Sequence, residues 1–219
     1  MRRGRPFPSP RRLEAGDDAH VTQSFDAIVV GSGPGGATVA RELSRQGWKV
    51  LILERGNKAP VTGSMAQTLR ELWMPGRSLL VTDRFLAVLR AVTVGGSSIY
   101  FFGTAWEPAY ELFDKRGVDI HAEVDEARRE LSVAALPPEL MGPKARRIMD
   151  SAIELGYDWQ PIPKYFDQDH LQGAPMGSYG VPTYPAKWNA RMFVEEALSQ
   201  GAALLTGATA RRVVAIQRG

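Results

Sequence analysis

The segment FDAIVVGSGPGGATVARELSRQGWKVLILERG, residues 25–56, constrains the fold of this chain more than any other stretch. Residues 25–30 make an unbroken apolar, β-branched run of the kind that fills a buried strand. Helical spacing begins after Pro34: Gly36, Val39 and Leu43 fall on one face, with Ala40 three residues before Leu43. Pro34 suits a first helical turn, where its missing N–H costs nothing. Gly47 stops the helix, and residues 49–53 form a second apolar run that ends at Glu54. Strand, tight glycine turn, helix and strand make one βαβ unit, which needs a parallel strand pair.

Each glycine of the turn has a mechanical reason. Gly31 permits the sharp exit from the strand, Gly33 lets a pyrophosphate approach the backbone, and Gly36 lets the helix lie close to the sheet. The N–H groups and positive end of the helix then face the phosphates. Gly31, Ser32, Gly33, Pro34, Gly35 and Gly36 are therefore the candidate cradle. Glu54 lies 23 residues after Gly31, where a carboxylate accepts hydrogen bonds from a ribose diol. A carboxylate there repels a 2′-phosphate, which argues against NADP. FAD and NAD both carry ADP, so the cradle alone leaves both open. The small-residue pattern continues through Ala40 and Gly47, and the unit sits near the start of the chain; both features favour FAD.

The rest of the chain narrows the class. Its 219 residues suffice for one large domain or slightly more. With 44% hydrophobic and 23% charged residues it reads as a globular chain. No apolar run approaches the roughly 20 residues of a membrane helix. The absence of cysteine excludes disulfides, thiolate metal sites and a cysteine nucleophile. The opening MRRGRPFPSPRR, with five arginines and three prolines, predicts a disordered basic tail over residues 1–23. Arg2-Arg3 is not followed by the apolar stretch of an export signal, so a cytoplasmic location is expected. The net charge is only +3, most of it from that tail, and no nucleic-acid partner is expected. His20, His121 and His170 do not pair at metal spacing, and Asp125/Glu126 and Glu195/Glu196 read as solvated helix faces. No catalytic triad is visible, so the chemistry belongs to a cofactor.

Two further segments carry meaning in combination. RAVTVGGSSIYFFGTAWEP, residues 90–108, gathers Gly95, Gly96, Ser97 and Ser98 into a loop that can bring N–H and hydroxyl groups against a phosphate or a flavin edge. Taken alone, the loop reads better as a plain surface turn, and Tyr100, Phe101 and Phe102 as core rather than a cofactor wall. NARMFVEEALSQGAALLTGATARRVV, residues 189–214, repeats the grammar of the first unit: helix, Gly201, then an apolar strand over residues 203–206. Together, in this order, the three stretches resemble the glucose-methanol-choline (GMC) oxidoreductases over roughly residues 24–218. Glu54-Arg55-Gly56 looks like the end of that family's ADP-binding unit, and VGGSSIYFFG like its second signature.

The resemblance implies a Rossmann-like α/β FAD-binding fold with a parallel central sheet and added helices, forming the N-terminal part of a larger fold. It implies oxidation of an alcohol-type CH–OH donor with hydride transfer to flavin. Gly31–Gly36, Glu54, Arg55 and the loop Gly95, Gly96, Ser97 and Ser98 would hold FAD, with Ala210 at the adenine. The second signature lacks the family's usual Asn and has no histidine for covalent attachment, so noncovalent FAD is expected. Family members are longer, and the proton-accepting His and the substrate domain would lie beyond this sequence, in a C-terminal half or a partner chain. A noncatalytic FAD- or NAD-binding fragment and another two-dinucleotide flavoprotein reductase are the alternatives. Residues 24–219 are expected to form one FAD-binding domain, with 157–188 as an irregular lobe or lid. Helices are expected over 120–131, with Val124, Ala127 and Leu131 on one face, and over 144–155, with Ile148, Ala152 and Leu155 on one face. A strand is expected over 213–216.

Overall fold

A computed structural model of the chain describes residues 23–61, 64–167 and 186–214. In chain order the elements are β1 (Ala27–Val30), α1 (Pro34–Arg45), β2 (Val50–Glu54), α2 (Met65–Leu72), β3 (Leu79–Val81), β4 (Ala87–Leu89), α3 (Tyr110–Asp114), α4 (His121–Glu130), β5 (Val133–Ala134), α5 (Pro143–Glu154), β6 (Lys164–Tyr165), α6 (Ala190–Ser199) and β7 (Ala203–Thr206). The described residues fall into two compact units. One holds those up to Ile99 and from Asn189 onward; the other lies between Tyr100 and Trp188. The expected lobe thus belongs to a unit that starts much earlier in the chain.

The first unit is a Rossmann-like α/β arrangement. Its parallel sheet has the order β1-β2-β7, with Val29 opposite Ile52 and Ile52 opposite Leu204. The register sorts side chains by face. Val50 and Ile52 are fully buried, each worth about 1.5–3 kcal/mol in side-chain burial. On the opposite face Ile28 and Val30 are 58% and 64% exposed. α1 begins at Pro34, ends before Gly47, and buries Ala37, Ala40, Arg41 and Ser44. It packs along α6, which buries Ala190, Phe193, Val194 and Ala197. The Arg41 guanidinium lies 3.5 Å from the centre of the Phe193 ring. Asn189 caps α6, its Oδ1 accepting from Arg191 N at 3.1 Å. β3 and β4 pair as an antiparallel hairpin.

The second unit is built from short pieces. β5 pairs with β6, and the Tyr165 ring sits 5.9 Å from both Phe101 and Trp188. Lys187 is buried; its Nζ donates to Phe101 O at 2.6 Å and stands over the Phe101 ring. Burial pushes the Lys187 ammonium down to about 8. The helices at 121–130 and 143–154 match the expected ones within a residue or so at each end. Their apolar faces are less buried than expected: α4 buries none of its residues, and α5 buries Ala152 but leaves Ile148 exposed, as is Leu155 at its C-cap. His121 is exposed, stacks on Tyr110, and is drawn above its usual pKa by the hydrogen bond to the Asp119 carboxylate.

The strand expected over 213–216 is described only in its first half. Val213 and Val214 lie in irregular, exposed chain, and the remainder of the expected 213–216 strand is outside the described residues. Two β-branched residues make a strand only where a neighbouring strand bonds to them. The expected basic tail, His20 and His170 lie outside the described residues as well. No helix among the described residues is long and apolar enough to cross a membrane.

Candidate functional site

The first unit brings both glycine loops to the C-terminal ends of β1 and β2. The chain leaves β1 through Gly31, whose φ of +95° is open mainly to glycine. Gly33 is the N-cap residue of α1, and no side chain caps that helix. A Cβ placed on Gly33 or Gly35 would meet nothing within 4 Å, whereas one on Gly36 would stand 2.0 Å from Gly31 O. Gly36 is therefore the contact between helix and strand. Gly33 and Gly35 leave the helix N-terminus open to a close ligand, with Pro34 exposed between them.

The second loop meets the first directly. Gly95 and Gly96 both have positive φ, +92° and +57°. A Cβ on Gly96 would come within 3.1 Å of Gly33 Cα, and Gly95 N donates to Ser32 Oγ at 3.1 Å. Ser98 Oγ donates to Gly95 O at 2.6 Å and accepts from Ala190 N at 2.9 Å, tying the loop to the start of α6. Ser97 is exposed, with Oγ accepting from Ala91 N at 3.1 Å.

Glu54 ends β2 and is only 7% exposed. Its Oε2 accepts from Ser32 N at 3.0 Å and Ser32 Oγ at 2.6 Å, and its Oε1 from Gly56 N at 2.6 Å. Gly56 is itself a close contact, since a Cβ there would lie 2.4 Å from Thr93 N. Arg55, next in the chain, is exposed. Beyond β7, Gly207 N and Ala208 N donate to Gly56 O and Glu54 O, so the chain returns alongside the end of β2. Ala210 follows, exposed and without regular structure.

Sequence reasoning brought Gly31, Ser32, Gly33, Pro34, Gly35, Gly36, Glu54, Gly95, Gly96, Ser97 and Ser98 into one proposed site, and the structure places them in one region of one unit. It missed Thr93 and Arg191. The Arg191 guanidinium donates to Ala59 O at 2.9 Å, to Val94 O at 3.2 Å and to Thr93 Oγ1 at 3.4 Å. The only sequence signal for it was its position two residues after the Asn189 cap. Among the described residues, no group of three or more His, Asp or Glu could hold a metal ion. The observed cradle fits a dinucleotide: backbone donors at an open helix start, room above Gly33 and Gly35, and a carboxylate at the adjoining strand end.

Known proteins point the same way. A family model described as an NAD(P)-binding Rossmann-like domain matches residues 29–83. The chain is 28% identical to an uncharacterized GMC-type oxidoreductase of Mycobacterium tuberculosis over 90% of its own length and 33% of that protein. It is 27% identical to a long-chain-alcohol oxidase of Arabidopsis thaliana, over 87% of this chain and 27% of the relative. Thus the chain spans about a third or less of the length of these relatives. In fold it is similar to pyridoxine 4-oxidase from Mesorbium loti, with a TM-score of 0.57 and 16% identity, over 84% of this chain and 42% of that one.

Proposed function

Because this chain is of the GMC oxidoreductase type and corresponds to that family's FAD-binding portion, we propose that it forms the ADP-binding part of an FAD-dependent enzyme acting on alcohol CH–OH donors. The observation that carries this reading is the contact between the two glycine loops at Gly33 and Gly96, beside the Glu54 carboxylate. A single glycine turn suits many nucleotides. Two glycine loops in backbone contact make a longer backbone-lined surface, suited to a pyrophosphate and the groups on either side of it.

In this reading the α1 start and Gly33 to Gly36 receive the pyrophosphate, and Glu54 accepts from the adenosine ribose. Gly95 and Gly96 border the path toward the flavin, Ser97 presents the loop's exposed edge, and Ala210 lies on the adenine side. Arg55 flanks the ribose carboxylate from solvent. FAD is held without a covalent bond, and the chemistry it supplies is acceptance of a hydride from a carbinol carbon. In the complete enzyme the substrate is an alcohol-type small molecule, in keeping with the long-chain-alcohol oxidase among the relatives.

The test is reconstitution. The purified chain, mixed with FAD and passed through a desalting column, is expected to retain flavin absorbance near roughly 375 and 450 nm, bands that belong to the cofactor. The family model's NAD(P) description favours a second reading, in which NAD occupies the same cradle. Binding of NAD with no retention of FAD would replace the first reading by the second.

A further inference from the structure

Ser32 has no solvent exposure, so its hydroxyl is beyond the reach of any bound molecule. Its polar neighbours fix what it does. A carboxylate can only accept and an amide N–H can only donate. The single hydroxyl proton therefore goes to Glu54 Oε2, at 2.6 Å, and the oxygen accepts from Gly95 N, at 3.1 Å. Ser32 N donates to the same Oε2 at 3.0 Å. A carboxylate offers about four acceptor sites, two on each oxygen. Oε2 has both filled by Ser32, while Oε1 has one filled, by Gly56 N at 2.6 Å.

We propose that Ser32 is a positioning residue: it saturates Glu54 Oε2 and so leaves Oε1 as the oxygen that meets the ribose 2′-hydroxyl, while its link to Gly95 N holds the second glycine loop to the same carboxylate. This rests on the assignment of Glu54 to the ribose made above. Without the Ser32 hydroxyl, Oε2 loses one of its two donors inside a nearly closed site, and the carboxylate is free to turn toward the remaining one. Gly95 N loses its acceptor in the same step. The effect on a ligand is then selective. Contacts to the phosphates are unchanged in kind, and discrimination for the ribose hydroxyl is what falls.

The test uses the full chain with ADP and 2′-deoxy-ADP as probes, each affinity read by titration calorimetry. A hydrogen bond to a charged acceptor is worth about tenfold or more in affinity, so the unmodified chain is expected to prefer ADP by about tenfold. Glu54→Gln should erase most of that preference. Ser32→Ala should reduce it to about threefold or less, and Ser32→Thr, which keeps the hydroxyl, should restore it. Ser32→Cys keeps the volume with a weak donor, and it carries the test should Ser32→Ala fail to fold. A purely structural serine would weaken both probes alike and leave their ratio untouched. That result, with the ratio still lost in Glu54→Gln, overturns the role of Ser32 alone. A ratio near one in the unmodified chain, with ADP binding unaffected by Glu54→Gln, overturns the ribose assignment and the positioning role with it.

Discussion

Gly33 and Gly36 stand three residues apart, and the structure gives them opposite sensitivities. A methyl on Gly36 would lie 2.0 Å from the Gly31 carbonyl, which is backbone and cannot swing aside. Gly36→Ala is therefore expected to cost about 3 kcal/mol, the upper part of the overpacking range, seen as a lower urea midpoint. A methyl on Gly33 meets nothing within 4 Å, and its φ of −67° suits any residue. Gly33→Ala should keep the urea midpoint and lose at least about tenfold in FAD affinity, or about 1.4 kcal/mol; unchanged affinity would show that the pyrophosphate lies elsewhere. The packing role of Gly36 was legible from spacing alone, because a dinucleotide turn fixes which glycine faces the sheet. The inward turn of Ser32 was not, since side-chain direction at a fixed position leaves no trace in spacing. Lys187 was equally silent, a lysine in a stretch without periodicity. Its folded pKa of about 8 lies below the unfolded 10.5, so between those values the unfolded chain holds the extra proton. The burial cost is fully present below about pH 8 and fades as pH rises toward 10.5. Measured against Lys187→Met, the stability of the unmodified chain should therefore improve across that window, and a pH-independent difference would remove the effect.

Among the elements, α1 and α6 depend on side chains that differ sharply in burial. Arg41 is 4% exposed, sits over Phe193, and bonds to Glu42 Oε1 at 2.8 Å. Arg45 bonds to Glu196 at 2.9 Å but is far more exposed. Truncating a buried cation above a ring removes packing as well as charge, so Arg41→Ala should cost about 2 kcal/mol. Arg45→Ala should cost less than about 1 kcal/mol, as exposed pairs do. Equal losses in chemical unfolding would contradict this ranking. The pairs also revise Glu195 and Glu196, expected as merely solvated: Glu195 meets Lys58 at 2.5 Å, and Glu196 meets Arg45. The sequence carried α1, β2, α6 and β7 clearly, because their periodicity is strong and Gly47 and Gly201 mark the helix ends with φ of +83° and +98°. The β3–β4 hairpin left no such mark. Its left-handed residue is Phe85, φ +58°, where a glycine or asparagine would have signalled the turn. α2 was not read from the sequence either; in the structure the Ser64 hydroxyl caps it, accepting from Gln67 N at 3.3 Å.

For the whole chain, the sheet of the first unit decides solution behaviour. Parallel sheets are ordinarily covered on both faces, yet here Ile28 and Val30 are 58% and 64% exposed on the face away from α1. Among the described residues β1 also pairs with β2 alone, which leaves its other edge open there. An apolar strand with a free edge and a bare face is a template for pairing with a second copy. The isolated chain is accordingly expected to self-associate, with sedimentation velocity showing larger species as concentration rises. Val30→Lys places a charge on the bare face, at the end of β1. Because Val30 is already mostly exposed, the substitution should cost within about 0.5 kcal/mol in folding stability, leaving association as the property that changes. The variant should sediment as a monomer at concentrations where the unmodified chain does not. Identical association of the two would move the contact away from β1, and a monomeric unmodified chain would mean that something within these 219 residues already covers the strand.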